Sequence, residues 1–119
     1  MILVEPNAEL GLFILRLALG IVFLAHGPVK LRQPGVVAQS MDMKKNTILV
    51  VGFLETLGAV SMITGAWVQL GALFLAVVML GAIYMKTQKW DRAFTREMGW
   101  ELDFIILAAL VVVFFTTDI

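Results

Sequence analysis

The chain has 119 residues, 61% of them hydrophobic, and nine Lys and Arg residues balance nine Asp and Glu residues. Soluble domains are about 45–50% apolar, so a mean hydropathy of +0.95 favours one small membrane domain. The absence of cysteine excludes disulfides and thiolate metal sites. A single histidine with scattered carboxylates lacks the spacing of metal ligands, so no metal site is expected. No basic domain is left for nucleic-acid binding, which is therefore also not expected.

Four apolar windows of 17 to 19 residues account for most of the chain: Leu10–His26, Ile48–Gly65, Trp67–Met85 and Gly99–Thr117. At about 1.5 Å per residue, each window is long enough, or nearly so, to cross a hydrocarbon core of about 30 Å. Their apolar residues are continuous rather than alternating, which predicts helices and not barrel strands. The sequence therefore predicts an all-α integral membrane fold, a four-transmembrane-helix bundle in a single domain over residues 1–119.

Basic residues are concentrated in the connections between the first and second windows and between the third and fourth. Eight of the nine lie there: Lys30, Arg32, Lys44, Lys45, Lys86, Lys89, Arg92 and Arg96. These two connections share one side of a four-span protein, and the positive-inside rule places that side in the cytoplasm. We therefore expect a multi-pass protein of the cell (plasma) membrane with both termini outside.

Two charged residues fall inside the first two windows, Arg16 and Glu55. A charge near the bilayer centre costs about 2.5–3.5 kcal/mol on insertion scales, so it usually faces a partner or a cavity. Counted from the cytoplasmic ends of the two windows, these charges lie at nearly the same depth, which predicts an Arg16–Glu55 ion pair. The pair would either fix the register of two helices or border a polar pocket that holds a ligand or carries protons.

A second polar cluster is predicted nearer the cytoplasmic side. His26 and Lys30 lie four residues apart at the end of the first window, and Glu101 and Asp103 begin the fourth. All four are candidates for ligand binding or proton relay. The alternative for the two carboxylates is helix capping and interfacial solvation, because carboxylates suit the positive end of a helix dipole. For His26 the alternative is a neutral histidine at the interface.

Three runs of sequence carry a family resemblance: LRLALGIVFLAHGPVKL (Leu15–Leu31), GFLETLGAVSMITGAWVQLGALFLAVVMLGAI (Gly52–Ile83) and GWELDFIILAALVVVFF (Gly99–Phe115). In this order, an Arg followed by H-G-x-x-K-L, a Glu before small residues and a Glu opening the last helix resemble the DoxX family. The family's E-x-x-G-G stands here as E-T-L-G-A from Glu55 onward, and its C-terminal G-x-G-x-x-S-x-D is missing. The resemblance implies a four-helix membrane protein, often linked to redox chemistry, as in the quinone-linked DoxD subunit of thiosulfate oxidation.

We therefore expect a small redox-associated subunit that binds a quinone or similar lipid-soluble ligand in a polar pocket between its helices. Arg16 would polarise a carbonyl oxygen of the ligand, and Glu55 would orient Arg16 or accept a proton. His26, Glu101 and Asp103 would connect the pocket to cytoplasmic water. No covalently bound cofactor is expected, so electrons would come from a partner or a bound cofactor, and enzymatic activity is left open.

The expected partners are the lipid bilayer, a membrane or redox partner protein, and a second copy of the chain. Two alternatives to the redox-associated subunit stay open. One is a structural or assembly subunit of a larger membrane complex, in which the charges serve helix docking. The other is a small proton-coupled transporter, although such exporters carry a Glu in the first helix, where this chain has Arg16.

Overall fold

The computed structural model describes residues 5–89 and 99–117, which form five α-helices and one π-helical turn. The helices are α1 (Glu5–Arg32), α2 (Pro34–Met41), α3 (Lys45–Thr64), α4 (Val68–Tyr84) and α5 (Glu101–Thr116). The π turn, Met85–Lys89, continues α4. The all-α class is thus confirmed for these residues. The basic residues Arg92 and Arg96 lie outside the described ranges.

Helix α1 is longer than the apolar window that predicts it. The window ends at His26, before a Gly-Pro pair, but the helix continues through Pro28 to Arg32. Proline lacks an N–H and so removes one helical hydrogen bond, yet the Gln33 N–H still donates to the Val29 carbonyl at 2.8 Å. Lys30 therefore lies on a helix rather than in a loop.

A three-residue turn joins α3 to α4. Gly65 ends α3 with φ of 81°, a left-handed conformation that glycine adopts without steric penalty. Its N–H donates to the Ser61 carbonyl at 2.9 Å. Trp67, which precedes α4, also has a positive φ of 56°, an unfavourable value for a bulky residue. This short turn sets α3 and α4 antiparallel.

The long helices pack in a row. Helix α1 packs on α3, α3 on α4 and α4 on α5, whereas α1 and α5 share few contacts. Small residues allow close approach: a Cβ on Gly20 would lie 2.5 Å from Ile63 Cγ1, and a Cβ on Gly58 would lie 2.5 Å from Leu75 Cγ. Large buried side chains, among them Phe23, Met62, Leu75 and Leu110, fill the core between the helices. The row leaves an open side between α1 and α5.

The two ends of the bundle differ in charge. The end that we call the basic end carries Lys30, Arg32, Lys44, Lys45, Lys86 and Lys89, and the turn end carries the α3–α4 turn. In the part of the chain that the structure describes, three stretches are long and apolar enough to cross a membrane: Ala8–Arg32, Lys45–Thr64 and Val68–Lys89. Helix α5 has 16 residues, a length of about 24 Å. The chain therefore has the helices of a membrane protein.

Candidate functional site

The buried carboxylate of Glu55 is paired with Lys30. Lys30 Nζ donates to Glu55 Oε1 at 2.5 Å, and the two side chains are 13% and 4% exposed. Glu55 lies ten residues after Lys45 at the start of α3, or about 15 Å along the helix. A carboxylate buried this far from water needs a partner, because an isolated buried charge is very costly. The Lys30 ammonium supplies that partner.

Two glycines bring α1 and α3 into contact beside this ion pair. A Cβ on Gly52 would lie 2.7 Å from Lys30 Cβ and 3.0 Å from the Gly27 carbonyl oxygen. A Cβ on Gly27 would lie 3.2 Å from Glu55 Cβ. Small residues at such a crossing allow the backbones to meet directly, as in other membrane helix pairs. The ion pair therefore lies in a tightly packed interface and is placed to fix the register of the two helices.

The predicted pair of Arg16 with Glu55 is wrong. The guanidinium of Arg16 lies at the turn end, where a Cβ on Gly65 would lie 3.3 Å from Arg16 Nη1. The residue of α1 beside Glu55 is Gly27, and eleven residues separate it from Arg16, or about 16 Å. One reason for this error is that the prediction ended the first helix at His26, whereas α1 continues for six more residues, about 9 Å, to Arg32. A second is that the prediction matched the ends of two helices that are separated in the chain by α2.

Arg16 instead lines a cleft between α1 and α5 with a volume of about 360 Å³. The guanidinium carbon lies 5.7 Å from the centroid of the Phe13 ring, within cation–π distance. No carboxylate within residues 8–89 and 99–117 forms an ion pair with it. The walls come from the start of α1 and the end of α5: Glu9, Leu12, Phe13, Arg16, Val113, Thr116 and Thr117.

The end of α3 and a second cavity adjoin this cleft. The last carbonyl groups of α3 have no helical partner and carry the negative end of the helix dipole, which favours a cation such as Arg16 beside them. The second cavity, about 590 Å³, is lined by residues 65–70 and Thr117, which also borders the first cleft. Gln69 Nε2 donates to the Phe114 carbonyl at 3.0 Å and ties α5 to α4 there.

Asp103 is the second buried carboxylate and lies near the basic end. Lys86 Nζ lies 2.8 Å from Asp103 Oδ2 and also donates to the Gly99 carbonyl at 3.2 Å. The contact with Asp103 lacks hydrogen-bond geometry, so Oδ2 receives no hydrogen bond from the described part of the chain. This ion pair joins the π turn to the first turn of α5.

The other two predicted site residues are exposed. His26 and Glu101 face outward, and within residues 8–89 and 99–117 neither forms an ion pair with a site residue. Nor do three His, Asp or Glu side chains of those ranges come close enough to hold a metal ion. The six predicted residues thus fall into separate groups: Lys30 with Glu55, Asp103 near the basic end, Arg16 at the turn end, and the exposed pair.

A family model described as DoxX matches residues 11–88, well over half of the chain. This chain belongs to the DoxX family. The matched part contains Arg16, His26, Lys30 and Glu55 and ends inside the π turn, so the predicted likeness of α5 to the family's last helix stays a prediction. No curated protein and no solved structure matches the chain significantly.

Sequence reasoning missed two residues that lie beside the predicted ones. Lys86 was assigned to a basic connection, and only the long reach of lysine from the π turn brings it to Asp103. Glu9 lines the Arg16 cleft, and its spacing was a usable signal. Residues seven apart lie on the same face of an α-helix, so Glu9 and Arg16 could have been grouped from the sequence.

Proposed function

We propose that this DoxX protein is a four-span protein of the cell membrane that binds the polar head of a lipid-soluble molecule in the α1–α5 cleft. The observation that carries the proposal is Arg16, a half-buried guanidinium that lines the cleft without an ion pair from the described residues. Charged groups at membrane depth usually face a partner or a polar cavity. A ligand with an acceptor oxygen would be that partner.

Helix α5 supports the fourth span. It is continuously apolar from Phe104 to Phe115, and two contacts hold it to α4, Lys86 to Asp103 at one end and Gln69 to Phe114 at the other. Because α4 together with its π turn is long enough to cross a membrane, a helix attached along its length would cross with it. The positive-inside rule would put the basic end in the cytoplasm and the cleft at the outer surface.

A quinone head fits the residues of the cleft. Its carbonyl oxygen would accept a hydrogen bond from Arg16, and Leu12, Phe13 and Val113 would provide an apolar wall for its ring. A bound quinone supplies reversible two-electron redox chemistry, and the electrons would be exchanged with a partner protein. In this proposal the protein is a redox-associated subunit, and Glu55 stabilises the bundle through Lys30.

An assembly subunit is the second candidate. The Lys30–Glu55 pair at a glycine-lined crossing favours it, because ionic contacts of this kind specify how helices dock. In that case Arg16 would serve only the negative end of the α3 dipole. The two candidates differ in one respect: ligand binding needs the guanidinium, whereas the dipole needs only a positive charge.

The test uses Arg16→Lys and Arg16→Met, with Arg32→Lys and Arg32→Met as matched controls. Arg32 is exposed at the far end of α1. Arg16→Lys keeps the charge but loses the planar fork of donors. We expect a melting temperature close to wild type and about a tenfold loss of retained quinone or lipid, the effect of one charged hydrogen bond of about 1.5 kcal/mol. Mass spectrometry of ligands that co-purify in mild detergent measures that loss.

Two results would overturn the proposal. The first is an unchanged ligand content in both Arg16 variants, which would show that the cleft is not the binding site. The second is a wild-type protein that retains no quinone or lipid at all. Loss of stability in Arg16→Met, with full stability in Arg16→Lys and no ligand in either, would support the assembly subunit.

A further inference from the structure

The cleft contains two opposite charges on one helix. Glu9 and Arg16 both line it and are seven residues apart, so they lie on the same face of α1 and about 10 Å apart along its axis. They do not form an ion pair with each other. Each charge is therefore available to a molecule that lies between α1 and α5.

The order of the two charges along the membrane normal is also defined. Arg16 lies about 16 Å from the level of Glu55 along α1, and half of a hydrocarbon core is about 15 Å. If Glu55 marks the membrane centre, the Arg16 guanidinium lies at the boundary between hydrocarbon and headgroups. Glu9 lies two turns farther out, on the side of the headgroups and water.

The other polar groups of the cleft are acceptors. Thr116 Oγ1 donates to the Val112 carbonyl and Thr117 Oγ1 donates to the Val113 carbonyl, both at 2.6 Å. Their hydroxyl protons are therefore in use, and their oxygens can only accept. Of the described side chains that line the cleft, Arg16 is thus the donor, and Glu9 and the two threonines are acceptors.

We propose that the ligand of this cleft is a phospholipid whose head carries a primary ammonium, with its phosphate on Arg16 and its ammonium beside Glu9. The inference rests on the proposed function, the binding of the polar head of a lipid-soluble molecule in this cleft, but it replaces the quinone by a phospholipid, and a redox role then no longer follows from this site. In a glycerophospholipid the phosphate is nearer the acyl chains than the amine, which is the order of Arg16 and Glu9. A quinone head carries neither charge and would make no use of the exposed Glu9 carboxylate.

A primary ammonium suits this cleft better than a choline. It has three N–H donors for the carboxylate and hydroxyl oxygens at the outer end, whereas a quaternary ammonium has none. Quaternary ammonium groups are bound by aromatic cages, and the aromatic side chain of this cleft, Phe13, already lies under Arg16. The cleft therefore favours a headgroup whose ammonium can donate hydrogen bonds.

The test measures the lipids retained by the purified full chain after exchange into nanodiscs. These contain equal amounts of phosphatidylethanolamine, phosphatidylcholine and phosphatidylglycerol with identical acyl chains. We expect phosphatidylethanolamine to be enriched over both others by about fivefold, the upper range for an exposed ion pair. Glu9→Gln should abolish the preference over phosphatidylcholine, and Arg16→Met should abolish retention of all three. Asp42→Asn, which removes an exposed carboxylate at the basic end, is the control and should change nothing.

The outcomes separate this inference from the proposed function. Equal retention of the three lipids, or an unchanged preference in Glu9→Gln, overturns the ammonium assignment. Recovery of a quinone in place of phospholipid overturns the inference but leaves the proposed function intact. Failure to retain any lipid-soluble molecule overturns both. Displacement by free phosphoethanolamine would show that the head alone is the ligand, which also contradicts the proposal.

Discussion

The Lys30–Glu55 pair offers a direct test of how the bundle is held together. Lys30→Met removes the ammonium but keeps the length of the side chain, and Glu55→Gln removes the charge but keeps the shape. Each single change leaves an unpaired charge in a site where the partners are 13% and 4% exposed. The double change leaves no charge there.

The size of the effect follows from this burial. Breaking a buried pair by removal of one partner costs about 3–5 kcal/mol, because the remaining charge is stranded. Lys30→Met strands the more deeply buried group, so we expect it to be the more damaging single change. The double variant should cost less than the sum of the two single changes, by a coupling energy of about 2–3 kcal/mol, since residues in direct contact couple by up to about 3 kcal/mol.

The assay is the free energy of unfolding in mixed micelles, followed by the fluorescence of the three tryptophans. The control cycle combines Glu55→Gln with Arg16→Met, which lie about 16 Å apart along the bundle and should add within about 0.5 kcal/mol. Additive losses for Lys30 and Glu55 would refute the reasoning. So would a strong coupling between Arg16 and Glu55.

Two further predictions concern packing and orientation. Gly27→Ala should lower the free energy of unfolding by about 1–3 kcal/mol, because its Cβ would lie 2.5 Å from Thr56 Oγ1 and 2.9 Å from Thr56 N. Gly81→Ala, with nothing within 4 Å, should cost nothing in the same denaturation measurement, and equal losses in both would contradict the close crossing. The chain has no native cysteine, so Ala66→Cys should react with an impermeant thiol reagent outside intact cells while Gln33→Cys should not. The reverse labelling pattern would overturn the proposed orientation.

The class of the fold was predictable because continuous apolar windows leave few alternatives. A membrane requires every backbone polar group to be paired within the chain, and an unbroken apolar run of this length is therefore a helix. The windows, however, are defined by where apolar residues begin and end, and a helix can continue beyond them. Proline at position 28 normally ends or kinks a helix, yet α1 continues through it to Arg32. Amino-acid composition alone does not indicate that a helix continues through such a proline.

The prediction of which residues on α1 and α3 contact each other depends strongly on where α1 ends. The prediction of the fold class depends on it much less. Two antiparallel helices are aligned in a prediction by matching their ends, so an error of six residues at one end moves every predicted contact by about 9 Å. That shift accounts for about half of the 16 Å that separates Arg16 from the level of Glu55. The ends of α1 and α3 also need not be level, because α2 lies between them in the chain. The partner of Glu55 is therefore not Arg16 but Lys30, which the sequence had placed in a loop.

An error in the position of a helix end does not change which residues share a face of that helix. The cleft between α1 and α5 is an example. The spacing of Glu9 and Arg16 puts them on one face of α1 wherever the helix ends and whatever packs against it. What the spacing cannot supply is the opposite wall, because α5 reaches the start of α1 only through the row α1–α3–α4–α5. The charges of the candidate site were thus readable from one helix, whereas the space between them depends on the packing of four helices.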